Sequence, residues 1–197
     1  MRIPQQERAI ETRQQILLGA ALSFDSAGFA GASLRQIIDN AGTTRGALHF
    51  HFRTKEDLAH AVIEEQQRRS HAAAEGVYAT DVAALEQIVT LTHEMARQIV
   101  TDTVVRAGIR LKLESKFADI PCPYYGWIDI CERLIRRAIA EGDILGALSP
   151  HPLARFLTSA FVGVQLMSGT MTEHHDLQHR IDEMWVTLLP AIMPASR

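Results

Sequence analysis

Apolar residues recur at helical spacing along almost the whole of this chain, and this periodicity limits its fold more than any other feature. The segments with helical period are predicted at about residues 10–28, 33–41, 43–52, 55 to the low seventies, 81–100, 102–116, 123–141, 150–171 and 175–193. No hairpin dipeptide and no strand–helix–strand spacing accompanies them. The sequence therefore predicts an all-α protein.

The charges are unevenly distributed along the chain. The formal net charge at pH 7 is −3, which by itself argues against a nucleic-acid partner. Residues 1–55, however, carry seven basic side chains and only four acidic ones, so the rest of the chain is strongly acidic. A basic head on an acidic body is expected when only one end of a protein meets phosphate groups. An ordinary solvated surface can carry the same pattern, and charge alone leaves both interpretations open.

Three short helical segments in the basic head have the arrangement of a helix-turn-helix. The second segment opens at Ser33, and Gln36 completes a capping box three residues later. Gly42 ends that segment and can adopt the positive φ that the following tight turn requires. Thr43 or Thr44 would cap the third segment, which would lie in the major groove of DNA. A helical hairpin with a glycine turn, common in helical bundles, is the alternative interpretation.

Polar and small residues at the start of the third segment suit contact with DNA. The amides of Thr43 and Thr44 would face phosphate oxygens at a helix N-terminus. Arg45 can bond a guanine edge or a phosphate, and Gly46 lets the helix approach the bases closely. Residues on or beside neighbouring helices that we predict to contact the DNA backbone are Thr12, Ser33, Arg35 and Lys55.

The larger apolar residues of the third segment are expected to hold it against the other helices. They occur at alternate positions, Leu48, Phe50 and Phe52. Because burying large apolar side chains stabilises a core, we assign all three to the interior.

Residues 32–66, ASLRQIIDNAGTTRGALHFHFRTKEDLAHAVIEEQ, resemble the TetR family of one-component regulators. Together with the charge reversal, this resemblance implies a helix-turn-helix domain at residues 1–54 that binds a double-stranded DNA operator. Residues 55–197 would then form a domain that binds a ligand and dimerises. His49 stands where the family usually has a phosphate-contacting tyrosine, and it stays among the predicted contacts because histidine can also donate to a phosphate.

A narrower resemblance is to the γ-butyrolactone receptor branch of that family, whose members sense lactone, butenolide or furan autoregulators in antibiotic-producing bacteria. It rests on residues 46–66, on VVRAGIRLKLE at 104–114 and on PYYGWIDI at 123–130. It implies that the protein binds a pseudo-palindromic operator and that a small hydrophobic ligand releases the protein from this DNA. The regulated genes would then serve secondary-metabolite and antibiotic biosynthesis.

Four residues are candidates for the ligand pocket. Trp127 stands where a tryptophan of the receptor branch lines the pocket, although an ordinary core tryptophan is the alternative. Gln66 matches a branch position and could bond a lactone carbonyl, but it lies in a polar run, EEQQRR. Thr158 and Gln165 interrupt the apolar eighth helix and could point into a cavity.

The last two helices are predicted to form a homodimer interface. Both carry broad apolar stripes, and Gly163 and Gly169 permit close approach of helices. Two such helices from each subunit would make a four-helix bundle. The dimer would place the two helix-turn-helix domains, which we call the reading heads, about 34–36 Å apart on DNA. A purely intramolecular core is the alternative. The stripe residues are Leu153, Phe156, Leu157, Ala160, Phe161, Val164, Leu177, Ile181, Met184, Trp185, Leu188 and Leu189.

Several other classes of protein are not expected. No apolar stretch is long enough to span a membrane, no export signal opens the chain, and Cys122 and Cys131 suit a reduced cytoplasmic protein. The histidines His174, His175 and His179 lack companion ligands, so we predict neither a metal site nor a cofactor. No nucleophile elbow, phosphate-binding loop or zinc-protease motif is present, and we expect no enzymatic activity.

Two alternatives to an autoregulator receptor remain at this stage. The first is a TetR-like repressor of an efflux or catabolic operon that senses a xenobiotic or a metabolite. The second is an all-α interaction or enzyme domain whose helix-turn-helix no longer binds DNA. Binding to DNA separates the second from the others, because electrostatic binding to phosphates depends steeply on salt.

Overall fold

The chain folds into α-helices joined by short turns. The computed structural model describes residues 5–114, 117 and 123–194, and in these ranges nine helices and no strand are present. This confirms the all-α prediction. No helix among the described residues is long and apolar enough to cross a membrane. The helices are α1 (Gln5–Gly31), α2 (Leu34–Ala41), α3 (Arg45–His51), α4 (Lys55–Tyr78), α5 (Ala84–Thr101), α6 (Thr103–Leu113), α7 (Pro123–Glu141), α8 (Pro150–Thr172) and α9 (Leu177–Ile192).

The helix boundaries follow the predicted ones closely, with two informative exceptions. The first helix is interrupted rather than ended at Gly28, whose φ of 68° breaks the helical path before a last turn that reaches Gly31. The fourth helix continues to Tyr78, beyond the predicted low seventies. The side-chain amide of buried Gln87 donates to the carbonyls of Val77, in the last turn of α4, and of Thr80, two residues beyond its end, and these contacts stabilise the end of the helix.

The described helices form two packing units. The first comprises Met1–Ser70 with Asp102–Pro121, and the second comprises His71–Thr101 with Cys122–Arg197. Packing therefore groups α6 and most of α4 with the first three helices. The functional division predicted at residues 54 and 55 concerns DNA and ligand binding, and it stays a prediction.

The core of the first unit brings the first three helices together with α4 and α6. Its largest fully buried side chains include Phe24, Ile37, Leu48 and Leu58. Gly19 lets α1 and α2 touch, because a Cβ at this position would lie 2.7 Å from the backbone nitrogen of Ala41. This close contact fixes α2 on α1 and so supports the turn that leads into α3.

The core of the second unit lies between α5, α7, α8 and α9. Ile88, Leu91, Ile135 and Ile144 are fully buried there. The indole N–H of buried Trp185 donates to the Thr92 hydroxyl at 2.7 Å, which joins α9 to α5. The β-branched residues of α5 are compatible with a helix because its packed face, rather than intrinsic propensity, supplies most of its stability.

Candidate nucleic-acid interface and ligand cavity

The turn between α2 and α3 has the local geometry that the sequence predicted. The Ser33 hydroxyl accepts a hydrogen bond from the backbone amide of Gln36 at 3.2 Å, and the side-chain oxygen Oε1 of Gln36 accepts one from the backbone amide of Ser33. This confirms the capping box. Gly42 adopts φ 58° and ψ 34°, the left-handed conformation that ends α2. Thr44 caps α3 by accepting from the Ala47 amide at 3.2 Å.

One face of α3 is buried and the other is open to solvent. Leu48 and Phe52 are buried in the core of the first unit, as predicted. The open face carries Arg45, Gly46 and His49. A Cβ on Gly46 would meet nothing closer than 3.9 Å, so the small residue leaves a shallow, accessible surface beside the arginine. The structure therefore brings together the residues of α3 that were predicted to read DNA.

The assignment of Phe50 to the core was wrong. Its side chain is 80% exposed, whereas those of Leu48 and Phe52 are 1% and 4% exposed. In a helix, residues two apart lie about 200° apart around the axis, so residue 50 points away from residue 48, while Phe52 follows the helix as its extended C-cap. Phe50 instead extends the open face of α3, where its ring meets that of His51 edge to face at 5.0 Å. Applying the helical period to this short segment would have found it.

The other predicted backbone contacts lie at separate points of the first unit. Thr12 lies inside α1, where its hydroxyl donates to the Arg8 carbonyl at 2.8 Å. Arg35 is exposed in the first turn of α2, beside the cap Ser33. Thr43 is partly buried in the turn that precedes α3. Their roles toward DNA stay predictions.

Lys55 has partners inside the protein. Its ammonium group donates to the carbonyl oxygens of Phe29 at 2.8 Å and Ala32 at 2.9 Å, and it lies 4.4 Å from the centre of the Phe29 ring. A lysine has three N–H donors, so two of them are occupied by these carbonyls. The predicted contact of Lys55 with phosphate stays a prediction, and the structure adds a second role for this side chain.

An apolar cavity lies within the second unit between α5, α7 and α8. Trp127 and Thr158, both predicted pocket residues, are among its walls. The space open to a water-sized molecule is only about 20 Å³, whereas drug-sized ligands occupy pockets of roughly 300–1,000 Å³. A ligand of that size would have to part the surrounding side chains. The lining residues are Ile88, Thr92, Met95, Trp127, Cys131, Leu157, Thr158 and Phe161.

A few polar groups interrupt the apolar wall of this cavity. The Thr158 hydroxyl donates to the Ala154 carbonyl at 2.9 Å, and it also lies within hydrogen-bonding reach of the Cys131 thiol. Burial raises the pKa of the Cys131 thiol to about 11, so the group is a neutral S–H at physiological pH. Trp127 lies one helical turn before Cys131, on the same side of α7. A hydrophobic molecule with a small polar head suits this lining.

The other two predicted pocket residues do not line this cavity. Gln66 belongs to the first unit, where it is 5% exposed and its amide nitrogen donates to the Ser70 hydroxyl at 3.0 Å. Gln165 lies on α8, partly buried. The side-chain oxygens Oε1 of both glutamines are buried without a hydrogen-bond partner among the described residues. Their roles toward a ligand stay predictions.

A shallow groove of about 470 Å³ runs along α8 and α9. Val164, Met167 and Leu188 line it, and Arg180 and Glu183 lie at its polar edge. Several of the predicted interface residues are instead buried inside the unit, namely Leu157, Phe161, Leu177, Ile181 and Trp185, while Met184 is buried but still lines the groove. The apolar stripe of α8 and that of α9 are therefore each divided. One part packs inside the unit and the other lines the groove. Elsewhere in the described ranges, no three histidine, cysteine or acidic side chains are close enough to hold a metal ion.

A capped helix-turn-helix with an open face on its second helix is the feature of a DNA-binding transcriptional regulator. The chain belongs to the TetR family. The family model for bacterial regulatory proteins of the tetR family matches residues 16–62, and the model for the tetracyclin repressor-like C-terminal domain matches residues 82–194. The resemblance stated from the motif is confirmed.

The similar proteins include receptors of the branch that the sequence indicated. The A-factor receptor protein of Streptomyces griseus is 32% identical over 95% of this chain, which spans 66% of that receptor's length. A solved γ-butyrolactone receptor described as ArpA-like is 34% identical, with a TM-score of 0.83 over 95% of this chain and 91% of the other. CprB from Streptomyces coelicolor, solved in complex with its biological operator sequence, is 33% identical, with a TM-score of 0.79 over 95% and 91%.

Proposed function

We propose that this protein is a transcriptional repressor that binds a pseudo-palindromic operator as a homodimer and is released by a small hydrophobic autoregulator of the γ-butyrolactone, butenolide or furan type. It would act without enzymatic activity and control secondary-metabolite or antibiotic biosynthesis. The observation that carries the proposal is the open face of α3, where Arg45, Gly46 and His49 are presented together beside a capped glycine turn. The similarity to γ-butyrolactone receptors supports the choice of ligand class.

The open face of α3 suits the major groove. Helix-turn-helix proteins place the N-terminal residues of the second helix against base edges. Arg45 is the first residue of α3 and is exposed, so its guanidinium can reach a guanine or a phosphate. The exposed ring of Phe50 adds an apolar surface that can contact a thymine methyl group or a sugar.

Release by the ligand follows from thermodynamic linkage. A ligand that binds more tightly to a conformation with low DNA affinity shifts the population toward that conformation. By the same linkage, DNA lowers the affinity for the ligand by the same factor. The small volume of the cavity around Trp127 supports this mechanism, because a ligand can occupy it only after its walls have moved.

The proposed DNA contact of Arg45 is tested by its removal. We expect Arg45→Ala to weaken binding to the operator by about 1–3 kcal/mol, or about 5- to 150-fold, because a base or phosphate contact is lost. The operator can be selected from a random-sequence duplex library with the wild-type protein, and affinities can be measured by fluorescence anisotropy.

The matched control for this experiment is Arg136→Ala. Arg136 is an exposed arginine on α7 whose guanidinium pairs with Glu132 on the same helix. Its removal changes the net charge equally and should leave operator affinity almost unchanged. Equal affinities for the Arg45 variant and the wild type would contradict the proposed role of α3.

The proposed pocket is tested at Trp127. We expect Trp127→Ala to bind the operator normally but to need roughly 50- to 100-fold more of a synthetic γ-butyrolactone with an alkyl chain for release. Losing on the order of 100 Å² of apolar contact costs about 2.5 kcal/mol. Trp127→Phe keeps a flat apolar wall without the N–H, and it separates packing from hydrogen bonding. Release of the alanine variant at the wild-type ligand concentration would show that the cavity is not the binding site.

A further inference from the structure

The ammonium group of Lys55 holds the end of α1 from the side of α4. It donates to the carbonyl oxygens of Phe29 and Ala32 at 2.8 and 2.9 Å. Carbonyls at a helix end lack intrahelical partners, and a charged donor satisfies them well. The Phe29 ring lies beneath the same ammonium group, so the positive charge also faces an aromatic surface. The next residue after this segment is Ser33, the cap of α2.

Glu114, at the end of α6, holds the same residue from the opposite side. Its carboxylate accepts a hydrogen bond from the Phe29 amide at 2.8 Å. The φ of 68° at Gly28 turns the backbone off the helical path immediately before this amide. A Cβ on Gly28 would lie only 2.8 Å from the Glu114 carboxylate, so the glycine also gives the carboxylate room.

Two arginines of α6 strengthen this attachment. Arg106 pairs with the Asp25 carboxylate at 3.0 Å, and Arg110 donates to the Asp25 carbonyl at 2.6 Å. Arg106, Arg110 and Glu114 are spaced four residues apart, so they lie along one face of α6 and its C-terminal cap. We call the group formed by Lys55, Glu114 and the backbone of Gly28 and Phe29 the Phe29 junction.

We propose that Lys55 and Glu114 are positioning residues of the DNA-reading head, and that the Lys55 ammonium is used at the Phe29 junction rather than on a DNA phosphate. Two of the three ammonium donors are used on these carbonyls and the charge faces the Phe29 ring, so turning the group toward a phosphate would break two charge-assisted hydrogen bonds and remove the charge from the ring. Because α4 and α6 hold one residue from both sides, a shift of either helix moves the end of α1 and the cap of α2. This inference rests on the proposed function, since it concerns how that function's reading head is held.

Salt dependence distinguishes the two roles of Lys55. Each phosphate contact contributes about 0.9 to the slope of the logarithm of the binding constant against the logarithm of salt concentration. We expect Lys55→Met to keep the wild-type slope on a random-sequence duplex of about 30 base pairs. Its affinity for the selected operator should fall by roughly 10-fold, as when about one base contact is misplaced. A slope reduced by about one, or an unchanged operator affinity, would overturn the proposal.

Glu114 provides a test in which positioning and simple electrostatics predict opposite signs. Removing an acidic side chain from a DNA-binding unit should raise or preserve its affinity for DNA if charge alone matters. We expect Glu114→Ala instead to lower operator affinity, because the hydrogen bond that ties the Phe29 amide to the end of α6 is lost. The control is Glu64→Ala, which removes an exposed acid from α4 and should not lower affinity. A Glu114 variant that binds as tightly as the wild type would count against the junction.

Thermal melting would reveal a variant that does not fold. For that case, the role of Lys55 can also be tested on the wild-type protein. The chain has three lysines, Lys55, Lys112 and Lys116, so acetylation by acetic anhydride can be followed at each by peptide mass spectrometry. We expect Lys55 to react slowly without DNA and at nearly the same rate with a saturating duplex. Rapid acetylation of Lys55 that DNA suppresses would overturn the proposal. A wild-type protein that binds no duplex would contradict the proposed function, while the rate without DNA would still test the junction.

Discussion

Gly108→Ala is expected to destabilise the first unit by at least about 2 kcal/mol, because overpacking a tight helix contact costs typically 1–3 kcal/mol and occasionally more. The alanine Cβ would overlap the Cβ of Gln66 and lie 2.7 Å from its Cγ, far inside van der Waals contact. The gain of about 1 kcal/mol in helix propensity does not offset this overlap. To relieve this overlap, α4, which carries Gln66, must move away from α6, which carries Gly108. The ion pair between Arg69 of α4 and Asp102, the N-cap of α6, opposes this movement because it joins the two helices at 2.8 Å.

The result is read from thermal melting and from operator binding. Separation of α4 from α6 would disturb the Phe29 junction, so we also expect weaker binding of the selected operator by the variant that remains folded. The control is Gly76→Ala in α4, where a Cβ meets nothing within 4 Å. That substitution should be neutral or stabilise by about 0.5–1 kcal/mol. Equal melting temperatures for the Gly108 variant and the wild type would show that α4 and α6 are not in close contact.

Gly163→Glu is expected to convert the proposed dimer into a monomer and to reduce operator affinity by at least about 100-fold. Gly163 lies in the groove of α8 and α9, and a Cβ there meets nothing within 4 Å in the single chain. The monomer can therefore accept the longer side chain, whereas a partner helix in the groove would bury its charge without compensation. Loss of the second reading head removes the avidity of two half-sites, which is worth on the order of 10²–10⁴ in affinity.

Light scattering after size exclusion gives the mass of the particle, and anisotropy gives the operator affinity. The matched control is Gly76→Glu, which adds the same side chain at an exposed position with equal room. It should leave both mass and affinity at the wild-type values. A dimer that persists in the Gly163 variant would place the interface outside this groove.

The predictions that held depend on groups close together in the chain. The capping box of Ser33 and Gln36 and the left-handed Gly42 were predicted from their identities and spacing, and the structure contains both. Such features need only a few neighbouring residues, so local sequence is sufficient to specify them. The failure at Phe50 was also local, since alternate spacing describes a strand face rather than a helix face.

The candidate site could be predicted only in part. The sequence indicated Trp127 and Thr158 on different helices, and packing of α7 against α8 brings both into one cavity. Cys131 and Thr92 line the same cavity but carry no motif that would single them out. Packing also decides that Gln66 contributes a buried side chain to the first unit.

The sequence by itself determined the nine helices of the described residues, the turn before α3 and the family, because periodicity, caps and the motif are written in consecutive residues. The tertiary structure alone decided which groups Lys55 contacts inside the protein. Its ammonium group bonds Phe29, 26 residues earlier in the chain, while Glu114 reaches the same residue across 85 positions. Contacts over such distances depend on how whole helices pack, and the packing of α1 against α4 and α6 gives the Lys55 ammonium group two backbone partners that no local motif predicts.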